Sequence, residues 1–340
     1  MTRTAKTMTN AKTTPTRRTA LATAAGLFGL LLLTSGTAQA QAWPSAKPIR
    51  LIVGFAPGGA ADYVARTISD PLGKALGQSV VVENRAGAGS SLAADFVSKA
   101  PPDGYTLLIA SPSSVSVNPA INPKLAYMKD LQPVTLVTTS PLVVAAHPGA
   151  GINSLQQLIA MAKAKPGSLN YTSSGMGSAP HLGAAHFSAV AGVNMVHIPY
   201  KGGAPAIQAV VAGDAQITFG TPPSVLPMVT AGRLKALAVT SPNRTPLVPG
   251  VPGTVEAGLP AYSMSFWYGL FVPAGTPAEI ARKLFDATQA VMQRDDVKAA
   301  LAREGTEVAL SKSAEDYATF LAEDNKFWAK LVKDAGVKGE

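Results

Sequence analysis

The chain has 340 residues, with 29 Lys and Arg against 20 Asp and Glu, a formal charge of +9, and no cysteine. Disulfides, thiolate metal sites, cysteine nucleophiles and a lipid-modified amino-terminal cysteine are thereby excluded. A hydrophobic content of 47% over this length permits a sizeable core, expected as two lobes.

Residues 1–19 carry Arg3, Lys6, Lys12, Arg17 and Arg18 and no acid. An apolar run from Ala20 to Leu33 follows, then the small residues Thr37-Ala38-Gln39-Ala40. This is the pattern of a secretory signal peptide over residues 1–40, with cleavage expected after Ala40 and, as second choice, after Ala42. The apolar run has 14 residues, short of the roughly 20 that a membrane-spanning helix needs. The Arg17-Arg18 pair is only a weak match to a twin-arginine export signal. Removing the five bases of this segment leaves 24 bases against 20 acids, or +4, with no basic block. A nucleic-acid surface would need clustered Lys and Arg. The mild positive bias suits a small anionic ligand.

From there apolar β-branched runs alternate with amphipathic stretches. Strands are predicted at Ile49–Phe55, Ser79–Val82, Thr106–Ala110, Leu142–Ala146, Asn170–Thr172, Met195–Ile198, Gln216–Phe219 and Leu234–Val239. Helices are predicted between them at Asp62–Leu76, Ser91–Ala100, Leu155–Lys163, Pro180–Ala191, Ala204–Ala212 and Ser224–Ala231. The alternation indicates an α/β fold with mostly parallel sheets covered by helices. Ser154 with Gln157, and Thr276 with Pro277 and Glu279, fit capping boxes. The proline-rich stretch Pro242 to Pro260 reads as a loop near a return crossing between lobes. Thr276 to Lys333 reads as largely helical, with Leu284, Val291, Leu301, Tyr317, Phe320, Phe327 and Leu331 at packing positions.

The first strand runs into Phe55-Ala56-Pro57-Gly58-Gly59-Ala60-Ala61-Asp62 and then a helix. Glycine lets the backbone approach a ligand closely, and the first amides of a helix lack intrahelical acceptors and carry the positive end of its dipole. Such a turn can hold a carboxylate. Asp62 can either meet an amine on the ligand or favour the helix start by sitting in its first turn. A second loop of this kind is Ser173-Ser174-Gly175-Met176-Gly177-Ser178-Ala179-Pro180-His181, where Ser178 can cap the following helix. It is no phosphate cradle, since no Lys-Ser or Lys-Thr follows its glycines and no G-x-G-x-x-G occurs. Ser111-Pro112-Ser113-Ser114 and Pro199-Tyr200-Lys201-Gly202-Gly203 also follow strands. In open parallel sheets ligands collect at the carboxyl ends of strands, so all four loops are expected to face one crevice.

An enzyme is the rival reading. His181 and His186 lie about 140° apart around a helix and cannot share a metal. A serine of the 173–178 loop with His181 offers a nucleophile and base on paper, but groups so close in one loop rarely reach triad geometry, and no G-x-S-x-G elbow occurs. His181 reads better as a capping or solvent-facing group, and His147 and His197 as strand-end residues bonding local backbone.

With these loops in place the chain resembles the substrate-binding receptors of tripartite tricarboxylate transporters, the Bug receptors. The matching segments are Val53–Asp62, Glu83–Gly89, Pro101–Ala110, Tyr171–Leu182, His197–Gly203, Gly232–Thr240 and Trp267–Pro277. The resemblance implies a two-lobed, type II-like periplasmic-binding-protein fold, each lobe a mostly parallel sheet flanked by helices. It implies lobes of residues 43–140 plus 263–340 and 141–262, closing on a small carboxylate and delivering it to membrane permease subunits. Carried over onto this sequence, ligand contacts are expected from Phe55, Gly58, Gly59 and Asp62 and from Ser174, Gly177, Ser178 and His181, with Ser111 and Ser113 added from the strand-end loop. Two positions depart from the family's pattern: Ala185 stands where a Glu is common, and Ala56 where a second proline is common. No cofactor, metal or nucleic acid is called for, and a soluble periplasmic monomer is expected. The alternatives are a secreted serine hydrolase and a sensory receptor of the same fold that presents its closed form to a kinase.

Overall fold

The structure, a computed structural model, describes residues 1–2 and 43–334. The expected signal over residues 3–40 and its two cleavage positions lie outside the described residues. Contacts divide the chain at Ala42, and the fold belongs to Trp43–Glu340. Among the described residues no helix is long and apolar enough to cross a membrane.

The strands are β1 (Ile49–Val53), β2 (Val80–Asn84), β3 (Thr106–Ala110), β4 (Leu131–Pro141), β5 (Val143–Ala146), β6 (Asn170–Ser173), β7 (Val196–Pro199), β8 (Ile217–Gly220), β9 (Lys235–Val239), β10 (Ser265–Pro273) and β11 (Glu307–Val308). They form two sheets, ordered β11-β4-β10-β3-β1-β2 and β7-β6-β8-β5-β9. The helices Ala60–Leu76, Leu155–Ala164, Ala179–Ala191, Gly203–Ala212 and Pro222–Thr230 begin and end within two residues of the predicted bounds, while Ser91–Ser98 stops two residues early.

Mostly parallel sheets need correction. The ladders β1–β2, β1–β3, β6–β7 and β6–β8 are parallel. Those joining β10 to β3 and β4, β11 to β4, and β5 to β8 and β9 are antiparallel. The reversed strands β5 and β10 are the first laid down after the chain crosses from one sheet to the other. Only Leu142 separates β4 from β5. One residue cannot turn the chain round, so β5 continues the course of β4 and runs against its new neighbours.

Thr240 ties the two crossings together. Its hydroxyl accepts from the Leu142 amide (2.8 Å) and donates to the Met264 carbonyl (2.7 Å). Its backbone exchanges bonds with the same two residues: Thr240 N donates to Leu142 O and Met264 N donates to Thr240 O. The stretch Ser241–Met264 contains no helix or strand, in keeping with the predicted loop.

The core lies on both faces of the sheets: Leu51, Val53 and Leu107 on one face of the first sheet and Ile52 and Leu108 on the other are 0% exposed, as are Val144, Ile217 and Phe219 on one face of the second and Val143 and Ala145 on the other. Each such Leu, Ile, Val or Phe side chain contributes about 1.5–3 kcal/mol by leaving water. The carboxy-terminal region is helical at Ala278–Met292, Asp295–Arg303 and Ala314–Asp334. Leu284, Val291, Leu301, Tyr317 and Leu331 are buried as expected, but Phe320 and Phe327 are exposed. Two caps differ from the capping boxes. Ser154 accepts from the Gln157 amide, while the Gln157 side chain reaches the Asn153 amide instead of that of Ser154. Thr276 donates to the Pro273 carbonyl and caps nothing, because the helix starts beyond Pro277.

Candidate ligand-binding site

The turn after β1 is shaped by Asp62. Its Oδ2 accepts from the Gly58 amide (3.0 Å) and Arg66 Nε (2.9 Å), and its Oδ1 accepts from Asn84 Nδ2 (2.9 Å). Asn84 also donates to the Phe55 carbonyl at 3.0 Å. Asp62 therefore braces both ends of the Phe55–Gly59 turn against β2. Burial pushes its carboxyl up, but the bonds from Arg66, Gly58 and Asn84 together hold it below its ordinary range. Gly58 takes φ +79°, which glycine alone adopts freely. Gly59 stands at the helix N-cap with no side-chain cap. The amides of Gly59, Ala60 and Ala61 have no protein acceptor among the described residues.

The second sheet presents a matching turn. Gly202 and Gly203 start the helix Gly203–Ala212, again with no side-chain cap. The amides of Gly203 and Ala204 have no protein acceptor among the described residues, while Pro205 has no N–H. The two turns abut: a Cβ built on Gly59 would lie 3.5 Å from Gly203 N and 3.8 Å from Ala204 N. Ala56 N also donates to the Lys201 carbonyl at 3.1 Å, so Lys201 joins the halves through its backbone, its side chain being exposed.

Between these turns lies a cavity lined by Phe55, Gly59, Ala60 and Ala61 on one side and Ser173, Ser174, Pro180, Gly203, Ala206 and Ile207 on the other, with Thr218, Gly220, Thr221, Phe266 and Tyr268 completing it. Four helices begin on its wall, at Ala60, Ala179, Gly203 and Pro222. Their positive dipole ends sum toward one place. No lining residue is charged.

Of the ten expected contact residues, the cavity brings together Phe55, Gly59 and Ser174. Gly58 and Asp62 stand directly behind that wall. Ser113 bridges the halves, its Oγ accepting from Ala179 N at 2.9 Å. Ser111 is buried beside it with its hydroxyl unpaired. Ser178 is the N-cap of Ala179–Ala191, accepting from His181 N, and His181 Nδ1 accepts from the Gly177 amide. These three close the turn that carries Ser173 and Ser174. Sequence reasoning missed Phe266, Tyr268, Thr218 and Thr221, and it missed Asn118. A Cβ on Gly177 would lie 1.9 Å from Asn118 Oδ1, so the two halves meet there without a side chain between them. The alternation Phe266, Tyr268 is a strand signal the sequence does contain.

The serine and histidine that do meet are Ser173 and His197, with Oγ to Nε2 at 2.6 Å. The His197 ring is stacked between His181 (4.1 Å) and Tyr171 (5.0 Å). Burial pushes His181 down to about 4; burial, with the neighbouring His181, pushes His197 down to about 3. Both rings are neutral near pH 7. No carboxylate bonds to His197 among the described residues, so nothing orients it as a catalytic base. Ser173 Oγ instead exchanges bonds with the Gly175 amide and carbonyl, and the pair stiffens the loop. No group of three or more His, Cys, Asp or Glu among the described residues could hold a metal.

Residues 64–337 match the model of the tripartite tricarboxylate transporter family receptor. The chain belongs to that family. The family is one of solute receptors and not of enzymes. Protein BugT of Bordetella pertussis is 35% identical over 318 residues, covering 92% of this chain and 97% of BugT. A structure of an R. palustris protein with adipate superposes with a TM-score of 0.83 at 32% identity, covering 87% of this chain and 99% of that one. MatC from Rhodopseudomonas palustris with bound malate gives 0.80 at 32% identity, covering 85% and 99%. A structure of periplasmic binding protein BugD gives 0.82 at 30% identity, covering 87% and 99%, and the receptor has that α/β fold, with mixed sheets flanked by helices.

Proposed function

We propose that this receptor closes on a small carboxylate and delivers it to the membrane permease subunits of a tripartite tricarboxylate transporter. The observation that carries the reading is the meeting of two uncapped helix starts, one from each sheet, whose amides at Gly59–Ala61 and Gly203–Ala204 have no protein acceptor among the described residues. Unsatisfied amides at the positive end of a helix hold an anion, and here each half supplies one set. The ligands named for the adipate and malate structures are carboxylates, which supports the same chemistry.

In this reading the two sheets are the cores of two lobes, residues 43–140 plus 263–340 and residues 141–262, that hinge where Thr240 ties Leu142 to Met264. The ligand docks first on the Phe55–Asp62 turn. Closure adds Ser174 and the Gly203 turn, and the closed form is selected because it makes more contacts. Phe55, Gly59 and Ser174 touch the ligand; Gly58, Asp62, Ser111, Ser113, Gly177, Ser178 and His181 shape the walls and the joint. The receptor works in the periplasm, after removal of the amino-terminal signal, as a monomer.

Native mass spectrometry of protein purified without denaturant, followed by thermal shift of the stripped protein with a broad carboxylate panel, tests this. A bound acid and a ligand-dependent rise in melting temperature are expected by mass action. No shift with any mono-, di- or tricarboxylate would overturn it.

A further inference from the structure

Resting on that reading, a narrower ligand class can be drawn from groups in the cavity that have no partner. Tyr268 lines the cavity and is 5% exposed, and its hydroxyl has no hydrogen bond among the described residues. Thr218 lines it too and is 1% exposed, and among the described residues its hydroxyl likewise has none. Thr172 pairs with Thr218 in register on the neighbouring strand, so the two side chains share a sheet face, and the Thr172 hydroxyl is buried and unpaired. Thr172 does not line the cavity, but Tyr268 and Thr218 do, so whatever enters the site bonds to their hydroxyls in place of a protein partner. Phe266 and Ile207 make the rest of that end apolar.

The cavity lining also lacks a carboxylate that would pair with a cation. Its lining holds no acidic side chain, and four helices turn their positive ends toward it. Asp62, the nearest carboxylate of the ligand-facing turn, has both oxygens occupied by Gly58, Arg66 and Asn84 and does not line the space.

We propose that the cavity selects carboxylates that lack an ammonium group and carry a second hydrogen-bonding oxygen, read by the hydroxyls of Tyr268 and Thr218. Amino acids are disfavoured because their cation finds no carboxylate in the lining and lies at the positive ends of helices. Tyr268 and Thr218 are specificity residues, while the carboxylate itself is held by the amides at the other end.

The test uses the stripped mature receptor and matched acids that differ only in one substituent, hydrogen, hydroxyl or ammonium, at carbon 2 or carbon 3. Three-, four- and five-carbon chains, with and without a terminal carboxyl, and an aryl series provide the skeletons. Titration calorimetry is run on wild type, Tyr268→Phe and Thr218→Val, with melting temperatures of the stripped proteins to confirm folding. In each skeleton that binds, the hydroxy acid is expected to bind at least about fivefold tighter than the unsubstituted acid, the worth of a neutral hydrogen bond. The amino member is expected to bind at least about tenfold weaker than the hydroxy acid, for want of an anionic partner. In at least one of the variants the hydroxyl preference falls to within about twofold, while the unsubstituted acid keeps its affinity. Amino members that bind as tightly as hydroxy acids, or a preference unchanged in both variants, overturn this inference and leave the carboxylate reading standing. If no skeleton binds at all, the carboxylate reading falls first and takes the inference with it.

Discussion

Replacing Asp62 by Asn separates a residue that shapes the ligand-binding turn from one that touches ligand. The carboxylate takes three donors: Gly58 N and Arg66 Nε on one oxygen, Asn84 Nδ2 on the other. Bonds to a charged group are worth about 1.5–3 kcal/mol each against about 0.5–1.5 for neutral ones, so neutralisation costs about 1 kcal/mol at each bond that survives. The Arg66 share is discounted, because that side chain is 55% exposed. One end of the new amide is itself a donor and must face another donor, a buried mismatch worth about 1–3 kcal/mol. The sum is about 3 kcal/mol, a fall of about 5 °C in melting temperature for a domain of this size. Urea unfolding followed by tryptophan fluorescence measures it. The sign with pH is fixed as well: the carboxyl is held below its ordinary range, so its stabilisation is present above the unfolded pKa and is lost as pH falls through the folded value. The gap between wild type and variant should therefore close in strong acid. A variant within about 0.5 kcal/mol of wild type at neutral pH that nevertheless lost ligand affinity would refute this account and make Asp62 a ligand contact.

Three further outcomes follow from the same geometry. Gly177→Ala places a Cβ 1.9 Å from Asn118 Oδ1 across the joint, at φ +66°, so ligand affinity should fall by about a hundredfold or more while the stripped protein loses only the backbone strain of about 1–2 kcal/mol; calorimetry at wild-type affinity would contradict this. Thr240→Val leaves the Leu142 amide and the Met264 carbonyl without their side-chain partner, which should cost about 2–4 kcal/mol and speed hydrogen exchange at Leu142; unchanged exchange there would argue against Thr240 as the tie. The stacked histidines have pKa values depressed from 6.5, so their stabilisation is complete above that value and declines as pH falls toward about 4 for His181 and about 3 for His197. At 1.36 kcal/mol per pKa unit, His181 alone accounts for about 3 kcal/mol across that window; proton NMR titration showing either ring near 6.5 would refute it.

Most of the fold was legible because the strands are short β-branched runs between turn residues, and the helix starts carry glycine, proline or serine. β4 and β10 escaped prediction for a physical reason. β4 reads Leu-Gln-Pro-Val-Thr-Leu-Val-Thr-Thr-Ser-Pro, and a proline inside a run argues against a central strand. The structure accommodates Pro133 at a register shift, where Phe271 pairs with it after Leu270 pairs with Thr135. It places Pro141 at the last rung. The turns were legible for the same reason as the helices, since Gly58, Gly59, Gly202 and Gly203 announce themselves. Tyr268 and Thr218 could not be assigned from sequence, because their common cavity depends on β10 running against β3 and on Thr172 meeting Thr218 across strands 46 residues apart in the chain.

An anion site without a cationic side chain gains something from that choice. An Arg or Lys facing the cavity would have to shed its water each time the halves closed, at several kcal/mol per ion. Backbone amides at helix starts are fixed before the ligand arrives, lose no side-chain entropy, and each helix offers roughly half a positive charge. The charges that organise the turn sit one layer back, where Arg66, Asp62 and Asn84 bond to one another within one sheet and its helix. That placement also accounts for the selectivity argued from Tyr268 and Thr218. With Asp62 committed to the turn and no acidic side chain in the lining, an ammonium in the cavity finds no counter-ion and faces the positive ends of helices, whereas an oxygen finds both amides and hydroxyls.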